Sequence, residues 1–352
     1  MAKQKRFLDI DVLEASRRRI SHLYDTFDTM VVAFSGGKDS LVTLHLIRDE
    51  AERRGRLPVD VIFRDEELIP DAVIDFVNEY RQKDWIKLRW FAYPMQSDKF
   101  VMGEHSDYVQ WDETREWVRP KPDWAIAPKV GGPVRAQNAM DHICCHGYKG
   151  KIALVMGIRA SESLVRYRSV VNKLNENWVT RPSGYTGHRI KSCKPIYDWS
   201  EKDIFKYMAD KGIQWCHWYD IQNVGGHPFR VATPLHAEGA KRMHLLQAMD
   251  PVFYERLIKV FPEADLQTRY WHEYDKEAAF KGYRDGWAGC ERYIDDHIND
   301  PVSRAKALQR VQENKMMERK QPTRYNPELV LKALVSGAIK RTLLPTTKSA
   351  RL

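Results

Sequence analysis

The stretch from Met30 to Ser40, MVVAFSGGKDS, constrains the fold of this chain more than any other. Its residues Val31, Val32 and Phe34 form a short apolar run, which predicts a parallel strand that is covered on both faces. The run ends in Ser-Gly-Gly-Lys-Asp-Ser, and a helix is predicted to begin near Ser40. The pattern therefore predicts a strand, a tight loop and a helix in direct succession.

Each residue of this loop suits the binding of an anion. Gly36 and Gly37 let the backbone turn sharply and let a large anion approach the main-chain N–H groups. Ser35 and Ser40 offer hydroxyl donors, and Lys38 adds a positive charge. The predicted helix also points the positive end of its dipole at the loop. We therefore predict a site for a phosphate, a pyrophosphate or a sulfate.

The spacing of the loop matches neither a Walker A loop nor a G-x-G-x-x-G motif. The sequence SGGKDS resembles the PP-loop of the ATP pyrophosphatase and phosphoadenosine phosphosulfate (PAPS) reductase superfamily. The resemblance implies an α/β fold, with a Rossmann-like parallel sheet of the adenine nucleotide alpha hydrolase type. It also implies an adenine nucleotide, ATP or PAPS, contacted by Ser35, Gly36, Gly37, Lys38, Asp39 and Ser40. Lys38 and Asp39 are catalytic candidates, and Asp39 is expected to orient the loop or to help hold Mg²⁺.

A second anion-binding segment, GIRASESLVR, follows a predicted strand at 151–156. A glycine at a strand end, then an arginine, a hydroxyl and a second arginine, places two guanidinium groups beside one anion. The segment resembles the family's G-x-R-x-x-[EQ]-S-x-x-R pattern, which contacts the phosphate or sulfate of the substrate. The resemblance implies nucleotide contacts from Gly157, Arg159, Ser163 and Arg166, with Arg159 also a catalytic candidate. The alternative is a surface helix with scattered arginines, among them Arg168.

Acidic residues follow the second predicted strand of the chain, 59–63. Acids at the carboxyl end of such a strand lie in the crevice where doubly wound sheets bind ligands, so Asp65 is a candidate for a ribose hydroxyl or a metal. Glu66 and Glu67 are equally well explained as solvated acids at a helix start. The stretch VIFRDEELIPDAVIDFV resembles the second strand and loop of PAPS reductases, which implies nucleoside contacts from Phe63 and Asp65.

Two later stretches have less regular patterns. After a third predicted strand, 86–91, the segment 93–135 shows little periodicity and reads as a long loop. Either its aromatic residues and arginines stack on bases or on an acidic partner, or its tryptophans pin the loop onto the core. The stretch YDIQNVGGHPFR, 219–230, predicts a glycine-rich bend that closes over the nucleotide, with Arg230 as an additional anion contact.

The five cysteines are odd in number and unevenly spaced, which fits reduced thiols or a metal site better than a disulfide framework. Cys144 and Cys145 resemble the double cysteine of sulfonucleotide reductases that carry an iron–sulfur cluster. The family supplies its other ligands from a later C-x-x-C, which this chain lacks. The two cysteines therefore either pack in the core or hold a cluster or a zinc ion together with Cys193 and a histidine. Cys290 is the candidate for the thiol that attacks sulfur in a reductase, but it lacks the Gly and His that follow that cysteine in the family.

Composition and charge indicate how the chain is organised. With 43% hydrophobic and 30% charged residues, the chain reads as an ordinary globular protein. It shows no apolar run long enough for a membrane span and no secretory signal, so we expect a cytoplasmic location and no membrane partner. We predict a nucleotide-binding domain at 1–232 and a helical, basic region at 233–352, with helices at about 234–248, 251–261, 270–280 and 301–341.

The formal charge of +9 is concentrated in the C-terminal tail. Residues 301–352 contain 12 Lys or Arg against 3 Asp or Glu, and the basic and acidic residues before them cancel. The tail is therefore either a contact for a nucleic acid or protein partner, or a solvated helical face.

Three functions remain open at this point. The resemblance is closest to immunoglobulin-binding-regulator-A-like and DNA-phosphorothioation-C-like proteins, and it implies a PP-loop enzyme of sulfur metabolism. The first function is ATP-dependent adenylation linked to sulfur transfer. The second is reduction of PAPS or adenylyl sulfate, and the third is nucleotide-dependent regulation or nucleic-acid binding without turnover.

Overall fold

The computed structural model describes residues 8–102, 104–135, 141–163, 166–167, 170, 178–226, 231–272, 280–321 and 325–335. Its strands are β1 Thr29–Ala33, β2 Val59–Arg64, β3 Ile86–Phe91, β4 Met95–Val101, β5 Glu104–Gln110, β6 Val134–Arg135, β7 Ile152–Met156, β8 Val179–Thr180 and β9 Ile190–Cys193. The helices of the first part of the chain are α1 Val12–Thr26, α2 Lys38–Arg53, α3 Asp71–Arg81, α4 Asp141–Cys144, α5 Glu201–Lys211 and α6 Trp218–Val224. They are followed by α7 Ala237–Ala240, α8 Met243–Met249, α9 Pro251–Val260, α10 Glu263–Tyr270, α11 Trp287–His297, α12 Pro301–Lys320 and α13 Pro327–Val335.

The main sheet has six strands in the order β3-β2-β1-β7-β9-β8. All neighbouring pairs are parallel except β8 with β9. The chain fills the sheet from β1 towards β3 and then returns to the other side of β1 with β7. The gap between the carboxyl ends of β1 and β7 is therefore a topological switch point, the place where open α/β sheets bind ligands. The predicted parallel α/β sheet is confirmed.

Alternating side chains of the strands divide the core between the two faces of the sheet. Val32 of β1 packs in a large cluster with α1, α2, α3 and α5, whereas its neighbour Val31 packs in a second cluster on the opposite face. Both residues are fully buried, as the continuous apolar run predicts for a parallel strand. The helix α5 is capped by Ser200, whose hydroxyl accepts a hydrogen bond from the N–H of Asp203.

The segment 93–135 is more ordered than the sequence predicts. It contains an antiparallel hairpin of β4 and β5, with β6 parallel to β4. The expectation of one long irregular loop is therefore wrong for this part. Polar residues occupy buried positions of β4, where the Ser97 hydroxyl lies 2.9 Å from His236 Nε2, and this breaks the apolar alternation that would reveal a strand.

A buried carboxylate fixes the rest of this segment to the sheet. Glu67 is fully buried, so the expectation of a solvated acid is wrong. Its side chain accepts two hydrogen bonds from the Arg115 guanidinium, both at 2.8 Å, and one each from the N–H groups of Trp111 and Val118. Trp111 is itself fully buried and donates its indole N–H to the Asp65 carbonyl. The pinning alternative is thus confirmed for Trp111, and Arg115 adds a contact that the sequence does not predict.

The C-terminal helices form two groups. Helices α8, α9 and α10 contribute to the large cluster that covers β1, while α11, α12 and α13 form a separate cluster around Cys290 and Tyr293. The sequence analysis missed α11, and of its helix at 270–280 the residues 273–279 lie outside the described part. No described helix is both long and apolar enough to cross a membrane. The division at 232/233 stays a prediction.

Replacing Glu67 by alanine should strongly destabilise the fold. Arg115 would lose the carboxylate that its guanidinium contacts twice, and we expect a loss of about 3 to 5 kcal/mol in the free energy of unfolding. Urea denaturation followed by circular dichroism would measure it. The control is Asp210→Ala, which removes an exposed partner of Lys206 and should change stability by at most about 0.5 kcal/mol. Equal effects of the two substitutions would contradict this role of Glu67.

Candidate functional site

The loop after β1 turns directly into α2. Gly36 has a φ of 73°, a conformation that residues with a Cβ rarely adopt. A Cβ at this position would also lie 2.9 Å from side-chain atoms of Val73 and Val77 on α3. Gly36 is therefore required twice, by the turn and by the packing of α3 against it.

The two loop serines hold the turn from within. The hydroxyl oxygens of Ser35 and Ser40 lie 3.1 Å apart, and the Ser40 hydroxyl donates to the Gly37 carbonyl at 2.8 Å. Ser40 also accepts from the N–H of Ser35 at 3.2 Å. These hydroxyls thus shape the loop in this structure.

Lys38, the first residue of α2, is a buried cation. Its side chain is only 5% exposed, and Nζ lies 3.1 Å from Glu201 Oε1 and 3.6 Å from Asp39 Oδ2. The backbone N–H of Lys38 donates to the Tyr219 hydroxyl at 2.9 Å. The lysine is therefore held at the loop, in contrast to a solvated lysine on an ordinary turn.

The end of β7 meets this loop across the switch point. Met156 pairs with Ala33, so Gly157 follows at the same edge. A Cβ on Gly157 would lie 2.6 Å from backbone atoms of Asp39 and Ser40, which means that only glycine permits this close approach. The two predicted anion-binding segments are in direct contact.

Arg159 completes the arrangement. Its side chain is buried, Nε donates to Asp39 Oδ1, and Nη1 donates to the Ser161 hydroxyl at 3.1 Å. Two buried cations, Lys38 and Arg159, therefore flank one carboxylate at the N-terminus of α2. In this state Asp39 and Glu201 balance their charge, and Glu201 is the more exposed of the two, with a half-exposed side chain.

Ser163 and Arg166 lie just beyond Arg159. The Ser163 hydroxyl accepts from the N–H of Arg166 at 3.2 Å, and the Arg166 guanidinium donates to Glu162. Glu162 in turn accepts from the N–H of Arg159 at 3.1 Å, so it links the two arginines. Two further arginine candidates, Arg168 and Arg230, lie outside the described residues.

The structure does not bring the Asp65 carboxylate to the loop. The side chain is fully buried, Oδ2 accepts from the indole N–H of Trp90 at 2.9 Å, and Oδ1 accepts from Arg119. Burial raises the pKa of Asp65, and the Arg119 guanidinium opposes this rise. Phe63 packs in the core against Trp90, with ring centroids 4.5 Å apart. The nucleoside contacts of Phe63 and Asp65 stay predictions, and the contacts observed here are structural.

The three cysteines predicted as metal ligands lie on opposite faces of the sheet. Cys193 pairs with Val155 in the cluster that contains α2, whereas Cys144 and Cys145 pack in the cluster on the other face. Burial raises the pKa of Cys144 and of Cys193 to about 12, and it raises the pKa of Cys145 as well. Since a metal or cluster requires converging thiolates, these residues do not fit the predicted iron–sulfur or zinc site.

The residues present also do not fit a protein-held Mg²⁺ at the loop. Asp39 contacts Arg159 through one oxygen and faces Lys38 through the other, so both oxygens already lie beside cations. In the described part of the chain, no group of three His, Cys, Asp or Glu side chains is arranged to hold a metal. Asp39 was predicted either to orient the loop or to help hold Mg²⁺. Its contacts with Lys38 and Arg159 fit the first role.

Sequence reasoning missed two residues of the site. The sequence gives no reason to single out Glu201, and it places Tyr219 in a predicted glycine-rich bend. Residues 218–224 instead form the helix α6, so the bend prediction is wrong there, while 227–230 lie outside the described residues. Neither residue carries a local signal, because each lies more than 160 positions from the loop.

The chain is similar to a protein family, to a protein of Escherichia coli and to several solved structures. The model of the phosphoadenosine phosphosulfate reductase domain family matches residues 29–230. The uncharacterized protein YbdN of Escherichia coli (strain K12) is 28% identical over 264 residues, which is 69% of this chain and 64% of that protein. The match thus spans less than two thirds of YbdN.

Two solved structures are also similar. The PAPS reductase from Candida auris is 13% identical with a TM-score of 0.36, over 62% of this chain and 87% of that chain. The U34-tRNA thiolase NcsA from Methanococcus maripaludis, solved with its [4Fe-4S] cluster, is 14% identical with a TM-score of 0.32. The match covers 73% of this chain and 79% of that chain. These scores are too low to support an argument about function.

The family model begins at the first residue of β1 and includes both segments that meet at the switch point. It covers more than half of the 352 residues. The chain therefore belongs to the phosphoadenosine phosphosulfate reductase domain family.

Proposed function

We propose that this protein binds ATP at the switch point and cleaves it on the α-phosphate side, adenylating an acceptor in a step linked to sulfur transfer. The observation that carries the proposal is the pair of buried cations, Lys38 and Arg159, on either side of Asp39 at the N-terminus of α2. Two fixed positive charges beside a helix N-terminus suit a polyphosphate.

The roles of the residues follow from this arrangement. Phosphate oxygens displace Glu201 from Lys38, and the backbone N–H groups of the loop approach the same anion. Asp39 keeps Arg159 aimed across the switch point. When the acceptor oxygen attacks the α-phosphorus, the bond to the bridging oxygen breaks and pyrophosphate leaves. The two cations stabilise the charge that develops on it.

The thiols favour adenylation over the reduction of PAPS or adenylyl sulfate. Reduction requires an attacking thiolate, but all five cysteines are buried. Burial raises the pKa of Cys216 to about 11 and that of Cys290 to about 12. Cys290 lies in the separate cluster of α11, α12 and α13, where its thiol donates to the Pro327 carbonyl at 3.3 Å. These observations support an enzyme without a thiol nucleophile.

The third function, nucleotide-dependent regulation or nucleic-acid binding without turnover, rests on the basic tail. Residues 336–352 lie outside the described part, so binding of a nucleic acid or protein by the tail stays a prediction. Its signature would be an affinity that falls steeply as salt rises.

Removal of the Lys38 ammonium should slow cleavage strongly. In a single-turnover incubation with α-labelled ATP and Mg²⁺, we expect AMP or an adenylylated product together with pyrophosphate, formed about 10²-fold more slowly by Lys38→Ala. Lys206→Ala, which changes an exposed lysine on α5, is the matched control and should behave as wild type. Release of ADP and phosphate, or equal rates in the two variants, would refute the proposal.

The native thiols should resist alkylation at pH 8. For a thiol whose pKa is about 12, only about 10⁻⁴ of the molecules are thiolate at that pH, and burial blocks access as well. We expect iodoacetamide to modify less than one thiol per folded chain, while urea-unfolded protein yields five. Rapid modification of one cysteine, together with sulfite formation from PAPS and a thiol reductant, would instead establish the reductase.

A further inference from the structure

A cavity of about 470 Å³ lies between the carboxyl-terminal halves of α2, α3 and α5. The residues that matter here are four aromatic ones and two basic ones: Phe76, Tyr80, Trp85, Tyr207, His45 and Arg48. The cavity lies away from the loop that follows β1. Arg48 is ten residues after Lys38 on α2, which corresponds to about 15 Å along the helix axis. The volume is that of a site for a small organic molecule.

The Arg48 guanidinium lacks a direct hydrogen-bonding partner among the described residues. Its guanidinium lies 4.8 Å from the centre of the Trp85 ring, and it makes no hydrogen bond or ion pair with any described residue. Nε is also shielded from solvent. Buried polar groups are normally satisfied, so the shielded Nε–H of Arg48 beside a cavity indicates a missing acceptor.

The other cations around the cavity have partners. Lys83 Nζ lies 3.2 Å from Glu79, and Lys211 Nζ lies 4.0 Å from Asp49. His45 Nε2 lies 2.9 Å from the Tyr80 hydroxyl. Burial lowers the pKa of His45 to about 4, with the nearby positive charges of Arg48 and Lys83 acting in the same direction, so His45 is neutral at physiological pH. Arg48 is therefore the one cation of the described cavity lining that lacks a hydrogen-bonding or ion-pair partner, although the three carboxylates of the lining equal its three cations in number.

We propose that this cavity binds a planar aromatic carboxylate, with its ring against the aromatic wall and its carboxylate on Arg48. A guanidinium and a carboxylate form two parallel hydrogen bonds, and this pairing supplies the acceptor that Arg48 lacks. A phosphate monoester would bring nearly two negative charges next to Glu79, Asp49 and Glu52, which also line the cavity, whereas a carboxylate brings only one. Aromatic side chains favour a flat ring over an aliphatic one.

The proposal is tested by ligand-observed NMR on the full chain. The probes are benzoate, naphthalene-2-carboxylate and indole-3-acetate, each paired with its neutral amide, and cyclohexanecarboxylate as the aliphatic comparison. At least one aromatic carboxylate should show saturation transfer at millimolar concentration, with a dissociation constant at least about tenfold below that of its amide. This comparison needs no variant, so it does not depend on whether a substitution folds.

Two substitutions on the same helix then locate the site. Arg48→Gln should weaken binding of the best carboxylate at least about tenfold, whereas Arg53→Gln, at an exposed arginine of α2, should leave it unchanged. Excess AMP should not displace the probe, because the cavity is separate from the loop. The proposal is overturned if no aromatic carboxylate binds, if the amides bind equally well, if AMP competes, or if Arg48→Gln binds like wild type.

Discussion

The contact between the end of β7 and the first turn of α2 is the constraint on which the site depends. Gly157 lets two backbones approach so closely that a single Cβ would be 2.6 Å from the Asp39 and Ser40 backbones. The approach brings Arg159 within hydrogen-bond reach of Asp39, which no local interaction of either segment could achieve. It also lies at the switch point of the sheet, where the N-terminus of α2 directs partial positive charge towards the loop.

The ion pairs at this contact explain how a buried cationic site remains stable before an anion binds. Isolated buried charges are costly, and Lys38 and Arg159 both have side chains that are nearly inaccessible. Asp39 is shared by both cations, while Glu201 reaches Lys38 from the start of α5. Because Glu201 is half exposed and lies on a different element, it can leave without disturbing β1, β7 or the loop. In the function that we propose, Asp39 is the fixed carboxylate that orients Arg159, and Glu201 is the carboxylate that the phosphates displace.

The sequence predicts the parts of the site whose physical cause is local. The apolar run, the glycines and the hydroxyls of the loop predict the strand, the turn and the helix, and Gly157 with Arg159 predicts the second segment. The burial of Glu67 could not be predicted, because it depends on Arg115, which follows the β4–β5 hairpin. The sequence of that hairpin lacks the apolar alternation that would predict its strands. The same applies to Tyr219, whose hydroxyl reaches the first N–H of α2 only through tertiary packing.

The most direct test of this account is calorimetric titration of α,β-methylene-ATP into three proteins: wild type, Lys38→Ala and Glu201→Gln. If the loop cations bind phosphates in exchange for Glu201, Lys38→Ala should raise the dissociation constant about tenfold or more. Glu201→Gln should lower the dissociation constant, because the competing carboxylate is gone while the side-chain size is kept. Unchanged affinity in Lys38→Ala, or weaker binding in Glu201→Gln, would contradict the central claim.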